Sequence, residues 1–182
     1  LKERGVHPTL ALVRVGEDPA SVVYLRKKGE ACAAVGIRSR DHVFPETIPR
    51  EVLLEFISCL NCDRDVHGIL VQFPLPDGYN QDEISRRVDP RKDVDGFHPL
   101  NAGLLAAGMP GFVPCTPLGV VLLLEQSGID LTGKHVVIVG RSRIVGRPLS
   151  QLLSQKRTGL DATVTLAHSR RGDLSRYTRD AD

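Results

Sequence analysis

Lys134-His135-Val136-Val137-Ile138-Val139-Gly140-Arg141-Ser142-Arg143-Ile144-Val145-Gly146 runs an apolar segment straight into a turn bracketed by two glycines. Residues 134–139 predict a strand, residues 145–154 a helix, and residues 162–167 a second strand. Strand, helix and strand in that order make one βαβ unit, which places the chain in the α/β class. The turn after the first strand is where a dinucleotide-binding, Rossmann-like domain holds phosphates. The spacing is not the usual G-x-G-x-x-G, so context carries this reading more than the glycines do. Gly140 and Gly146 allow a tight turn and close helix packing. The helix start near Ile144 is expected to offer N–H groups and a positive dipole end to an anion.

The second strand adds the more informative clue. In NAD enzymes an acidic residue at its end binds the ribose hydroxyls. Here the strand runs into His168-Ser169-Arg170-Arg171. A hydroxyl followed by two guanidiniums suits a 2′-phosphate, so NADP is the expected cofactor, with Gly140, Arg141, Ser142, Ser169 and Arg170 as its binding residues. The alternative is a solvated turn at Arg170 and Arg171, and Arg141 carries a similar ambiguity.

Upstream, Thr116 and Pro117 make a helix start, with residues 119–126 as the body and Gly128 as the stop. A domain boundary is expected at this helix, giving residues 1–117 and 118–182. In the first part, residues 9–15 predict a strand, Gly16-Glu17-Asp18-Pro19 a turn, and the following residues a helix to about Val35, where Gly36 supplies the stop. Residues 49–62 show a helical rhythm. Residues 66–71 form an apolar run of the kind buried on both faces, ended by Gln72-Phe73-Pro74-Leu75-Pro76. Residues 89–117 read as irregular structure with one short helix, and ordered loops of that length are usually functional.

The chain has 182 residues, 41% of them hydrophobic, which is enough for one good core or two small ones. Lys and Arg number 24 against 22 for Asp and Glu, so no large field of one sign attracts nucleic acid or anionic lipid. Apolar stretches such as residues 120–124 fall far short of the ~20 residues a membrane helix needs, and an export signal is not expected. Of the cysteines at 32, 59, 62 and 115, only Cys59 and Cys62 have C-x-x-C spacing. They fall on a predicted helix with no second ligand pair, so reduced thiols in a cytoplasmic setting fit better than a metal or redox site.

On the helix after Pro19, Ser21, Tyr24 and Lys28 are spaced by three and four residues and share a face. Arg26, Lys27 and Lys28 also fit a charged, exposed side. Their company decides: a buried strand ending at Gln72, whose amide both donates and accepts, and the loop Lys92-Asp93-Val94-Asp95-Gly96-Phe97-His98-Pro99.

These residues resemble a known family. Asp18-Pro19-Ala20-Ser21, Tyr24-x-x-x-Lys28, the run from Gly68 to Pro76, the run from Lys92 to Pro99, Pro114-Cys115-Thr116-Pro117 and Gly140-Arg141-Ser142-x-Ile144-Val145-Gly146 occur in that order in the bifunctional methylenetetrahydrofolate dehydrogenase/cyclohydrolase family. The resemblance spans nearly the whole chain. It implies a folate-binding catalytic domain over 1–117 and a partial NADP-binding domain over 118–182. It further implies that methylenetetrahydrofolate is oxidised by hydride transfer to NADP, and that the methenyl cation is hydrolysed to formyltetrahydrofolate.

By the same resemblance Lys28 carries the proton chemistry of hydrolysis and Gln72 positions it. A cationic intermediate favours a neutral lysine beside it, and a neutral amine accepts a proton as water attacks. Tyr24 matches the residue that stacks on the folate's aromatic portion, and Asp95 the one that hydrogen-bonds the pterin. The substrate set is Ser21, Tyr24, Lys28, Val71, Gln72, Phe73 and Asp95. The resemblance also implies a homodimer through the nucleotide domain, further strands beyond Asp182, and an opening helix before Leu1. Two other readings stand beside it: an idle folate- or nucleotide-binding remnant, and an unrelated NADP dehydrogenase sharing only the two-domain plan.

Overall fold

The computed structural model describes residues 5–182, apart from the side chain of Arg171. Contacts divide the chain into two compact units, one ending at Val94 and one spanning Asp95–Asp182.

The first unit is a three-stranded parallel sheet in the order β2-β1-β3, built from β1 (Thr9–Val15), β2 (Arg38–Phe44) and β3 (Gly68–Val71). Successive side chains on a strand point to opposite faces, and this alternation sorts the core. Ala11, Val13 and Val15 of β1 and Ile69 and Val71 of β3 join Leu53, Ile57 and Leu60 of α2 (Arg50–Cys62) and Ile84 of α3 (Gln81–Arg87). Leu12 and Leu70 point the other way and pack with Leu25 of α1 (Pro19–Ala34). Leu12, Leu53, Ile57 and Ile84 are fully buried, each such side chain stabilising the fold by about 1.5–3 kcal/mol. α1 starts where a helix should: Pro19 takes the first turn, and the Asp18 carboxylate accepts from the Ser21 N–H at 2.7 Å.

Residues 92–94 close the outer edge of β3. The Ile69 N–H donates to the Lys92 carbonyl at 2.7 Å, and Ile69 and Asp93 form a parallel bridge. Val94 then fits against Gly68, where a Cβ would stand 2.6 Å from its Cγ1. Lys92 anchors the arm by donating through Nζ to the carbonyls of Leu60 and Asp63 at 3.0 and 2.7 Å, filling acceptors that the end of α2 leaves open.

The second unit holds α4 (Pro99–Ala106), α5 (Cys115–Gln126), β4 (His135–Val139), α6 (Gly146–Leu153), β5 (Thr163–Ala167) and a short α7 (Ser175–Thr178). β4 and β5 pair in parallel, Val136 beside Val164 and Ile138 beside Leu166. Leu105 of α4, Val121 of α5 and Leu152 and Leu153 of α6 share one core with Leu131, Leu160 and Ala162. Residues 95–117, which the sequence reading places with the first domain, thus supply α4 to the second core. The predicted βαβ unit is present, with each element within two residues of its expected bounds. β2 and α3 have no assigned place in the sequence reading, and α4 is the one short helix expected within residues 89–117. Residues 38–41 of β2 are all exposed, so that edge strand lacks the apolar run by which the others announce themselves.

Candidate active site

Alternation along β3 decides which of three consecutive candidates reaches α1. Val71 and Phe73 lie on the α2 side, Val71 buried in that core and Phe73 packed against it. Gln72 falls on the α1 side. Its Oε1 accepts from Lys28 Nζ at 3.1 Å, across 44 residues of sequence. Its Nε2 donates to the Phe73 carbonyl at 2.6 Å, which sets the amide so that its oxygen, not its nitrogen, faces the lysine. Any part Val71 plays toward a ligand therefore runs through its main chain.

On α1 the three candidates do different work. Ser21 is buried, and its N–H and hydroxyl hold the Asp18 carboxyl below the usual carboxylate range. Tyr24 is 59% exposed, with its ring open to a planar ligand. Lys28 is half-buried and points at the end of β3. A Lys–Gln pair of this kind can handle a proton, because the amide fixes the nitrogen in space without neutralising it by an opposite charge. Asp95 opens the second unit and is half-buried.

The sequence reading missed Arg14. A guanidinium buried within β1 is the exception that marks a site or a structural tie, and the charged letter inside Thr9–Val15 was its signal. It also gave Lys92 no role, although its side chain fixes the arm that leads to Asp95.

In the second unit the turn from Gly140 to Gly146 lies between β4 and α6, as expected. Gly140 adopts φ 130, and a Cβ on Gly146 would sit 2.0 Å from the Gly140 carbonyl oxygen, so the helix closes onto the backbone of its own turn. Three amides at the helix start, expected to be free, are already engaged within the turn. Ser142 Oγ accepts from the Val145 and Gly146 N–H groups at 3.1 and 3.3 Å, and the Ser142 carbonyl accepts from the Arg147 N–H at 3.0 Å. Pro148 has no N–H, and the Leu149 N–H donates to Val145. The Ser142 hydroxyl proton and exposed side chains such as Arg141 can still grip phosphate.

Ser169 and Arg170 are exposed in a single 3-10 turn directly after β5. A glycine-only backbone approach, a hydroxyl and exposed guanidiniums fit a phosphorylated dinucleotide. Among the described residues no three His, Cys, Asp or Glu side chains form a metal-holding group, and Cys59 and Cys62 are exposed and unpaired. No described helix is long and apolar enough to cross a membrane.

Two sequence profiles match the chain. The tetrahydrofolate dehydrogenase/cyclohydrolase catalytic domain covers residues 1–95, and the NAD(P)-binding domain of the same family covers residues 114–182. The bifunctional protein FolD of Geobacillus thermodenitrificans is 52% identical over 182 residues, all of this chain and 63% of the relative. The crystal structure of the bifunctional enzyme FolD from Campylobacter jejuni superposes with a TM-score of 0.94 at 48% identity, covering 100% of this chain and 63% of that one. A Trypanosoma brucei FolD structure, solved with NADP and an inhibitor, gives a TM-score of 0.91 at 34% identity, covering 100% of this chain and 61% of that one. The chain thus spans somewhat less than two thirds of the length of these relatives. With both profiles matched in order, the chain belongs to the tetrahydrofolate dehydrogenase/cyclohydrolase family.

Proposed function

We propose that this chain carries the family's two-step chemistry: oxidation of methylenetetrahydrofolate to methenyltetrahydrofolate, then hydrolysis to formyltetrahydrofolate. The observation that carries the proposal is the contact between Lys28 Nζ and Gln72 Oε1. Residues 1–117 take the folate role and 118–182 the nucleotide role, with Ser21, Tyr24, Lys28, Val71, Gln72, Phe73 and Asp95 as the substrate set.

NADP, when bound, supplies the hydride acceptor. Gly140 and Gly146 let its phosphates approach the turn, Arg141 and Ser142 grip them, and Ser169 and Arg170 take the 2′-phosphate. That the Trypanosoma brucei relative was solved with NADP supports this choice. Tyr24 stacks against the flat part of the folate, and Asp95 accepts from the pterin. In hydrolysis, water adds to the methenyl carbon. The Lys28 amine, held by Gln72, takes the proton that water loses; one carbon–nitrogen bond then breaks as the new hydroxyl gives up its proton and the leaving nitrogen gains one, which leaves the formyl group. Unpaired thiols favour a cytosolic setting, and the family resemblance favours a homodimer, which sedimentation of the purified chain will test.

Paired spectrophotometric assays provide the test: NADPH formation from methylenetetrahydrofolate, and loss of methenyltetrahydrofolate absorbance. Lys28→Ala is expected to abolish hydrolysis while folate still binds. Normal hydrolysis in that variant overturns the role of Lys28. Replacing Arg170 is expected to weaken NADP more than NAD, and an equal loss of both points instead to a solvated turn.

A further inference from the structure

We infer that Arg14 is a positioning residue of the first site: it ties the turn before α1 to the sheet and so fixes where that helix presents Lys28 to Gln72. Its binding arm rests on the folate reading above. A charge within a buried aliphatic strand costs free energy unless it is well paired. β1 reads Thr-Leu-Ala-Leu-Val-Arg-Val, and the Arg14 side chain is 10% exposed. Its guanidinium donates to the Gly16 carbonyl and to the two oxygens of Glu17 at 3.1 and 3.4 Å. All three acceptors lie in the turn that ends at the Asp18 cap.

Alternation puts Arg14 on the α1 side of the sheet, because Val13 and Val15 point to the α2 core. Val13 pairs with Val71, and the Gln72 N–H donates to the Val13 carbonyl at 2.8 Å. Arg14 and Gln72 are thus neighbouring positions on one face, at the ends of adjacent parallel strands. The helix is held to that end of the sheet at two points: Arg14 grips the turn before it, and Gln72 grips Lys28 nine residues into it. Glu17 is 77% exposed, so its ion pair is screened by water, and the buried bond to Gly16 is the tie that matters.

Three variants of the full chain test this: Arg14→Met keeps the aliphatic stem, Arg14→Lys keeps a donor, and Glu17→Gln removes only the exposed charge. The readouts are the side-chain amide resonances of Gln72, assigned with Gln72→Met, and the Kd values for tetrahydrofolate and for NADP. In Arg14→Met the Gln72 signals are expected to move and the tetrahydrofolate Kd to rise about tenfold, the cost of a small misplacement of the helix, with the NADP Kd unchanged. Arg14→Lys is expected to recover most of the loss and Glu17→Gln to resemble the parent chain. Unmoved Gln72 signals in Arg14→Met overturn the inference. A parent chain that binds no tetrahydrofolate defeats the folate reading alone, and the Gln72 resonances then decide by themselves. Should Arg14→Met not fold, Arg14→Gln replaces it: a larger Gln72 shift than in Arg14→Lys supports the tie, and no shift in either overturns it.

Discussion

The first unit and the second make their sites in opposite ways. In the first, a sheet covered on both faces fixes a side chain–side chain contact across 44 residues, and strand alternation decides which residue takes part. In the second, a single βαβ unit closes a turn onto its own backbone, a Cβ on Gly146 meeting the Gly140 carbonyl oxygen at 2.0 Å. In the turn between β4 and α6, the Ser142 hydroxyl and carbonyl oxygens accept from the Val145, Gly146 and Arg147 N–H groups. The contrast teaches that a contact between distant segments depends on a packed frame, whereas a turn between neighbouring elements can be shaped by local hydrogen bonds.

The strongest way to break the second half of this contrast is Gly146→Ala. A methyl group 2.0 Å from a backbone oxygen finds no relief in side-chain rotation, so the turn itself must move. NADP affinity is expected to fall by more than about a hundredfold, as for a misplaced binding group, and calorimetric titration checks it. For the first half, Ile57→Ala in the α2 core is expected to cost about 2–5 kcal/mol in urea unfolding. Leu166→Ala, at a position 37% exposed in this chain, is expected to cost less than about 1 kcal/mol, and equal losses would erase the contrast.

Gly68→Ala sharpens the role of the arm after Lys92. Its methyl would press on Val94 and is expected to cost about 1–3 kcal/mol, most of it recovered when Val94→Ala is added; additive losses would deny the contact. The smallest effect concerns His42 of β2. Burial holds its imidazole below its usual value, with Arg40 acting in the same direction and Asp41 against it. The folded chain therefore takes up that proton less readily than the unfolded one. The stability His42 contributes above about pH 6.5 is lost as the pH falls below it. Urea midpoints at pH 7.5 and 5.5 are expected to differ less in His42→Phe than in the parent chain.

How far the sequence could be read follows from these same features. The βαβ unit and the pairing of Lys28 with Gln72 were legible because long apolar runs and turn residues mark their elements, and because the motifs around them resemble a known family. β2 was not legible, since Arg38-Ser39-Arg40-Asp41 presents an edge to water and carries no apolar rhythm. In residues 89–117 one short helix was expected, but the abundance of Gly and Pro left its position open, although Pro99 at its start and the His98 cap were there to be read. Which of Val71, Gln72 and Phe73 faces α1 was not legible, because an all-apolar strand hides its own parity until its neighbours are known. The amides at the start of α6 looked open because a loop serine's choice of partner depends on the exact path of the turn.

That serine has a consequence for time as well as affinity. A turn that already bonds to itself through Ser142 has no order left to acquire when a nucleotide arrives. Little entropy is lost at capture, and no slow rearrangement stands between encounter and complex. Stopped-flow mixing with NADP should therefore give one phase whose rate grows in proportion to concentration, whereas Ser142→Gly, by freeing the turn to wander, should make that rate level off.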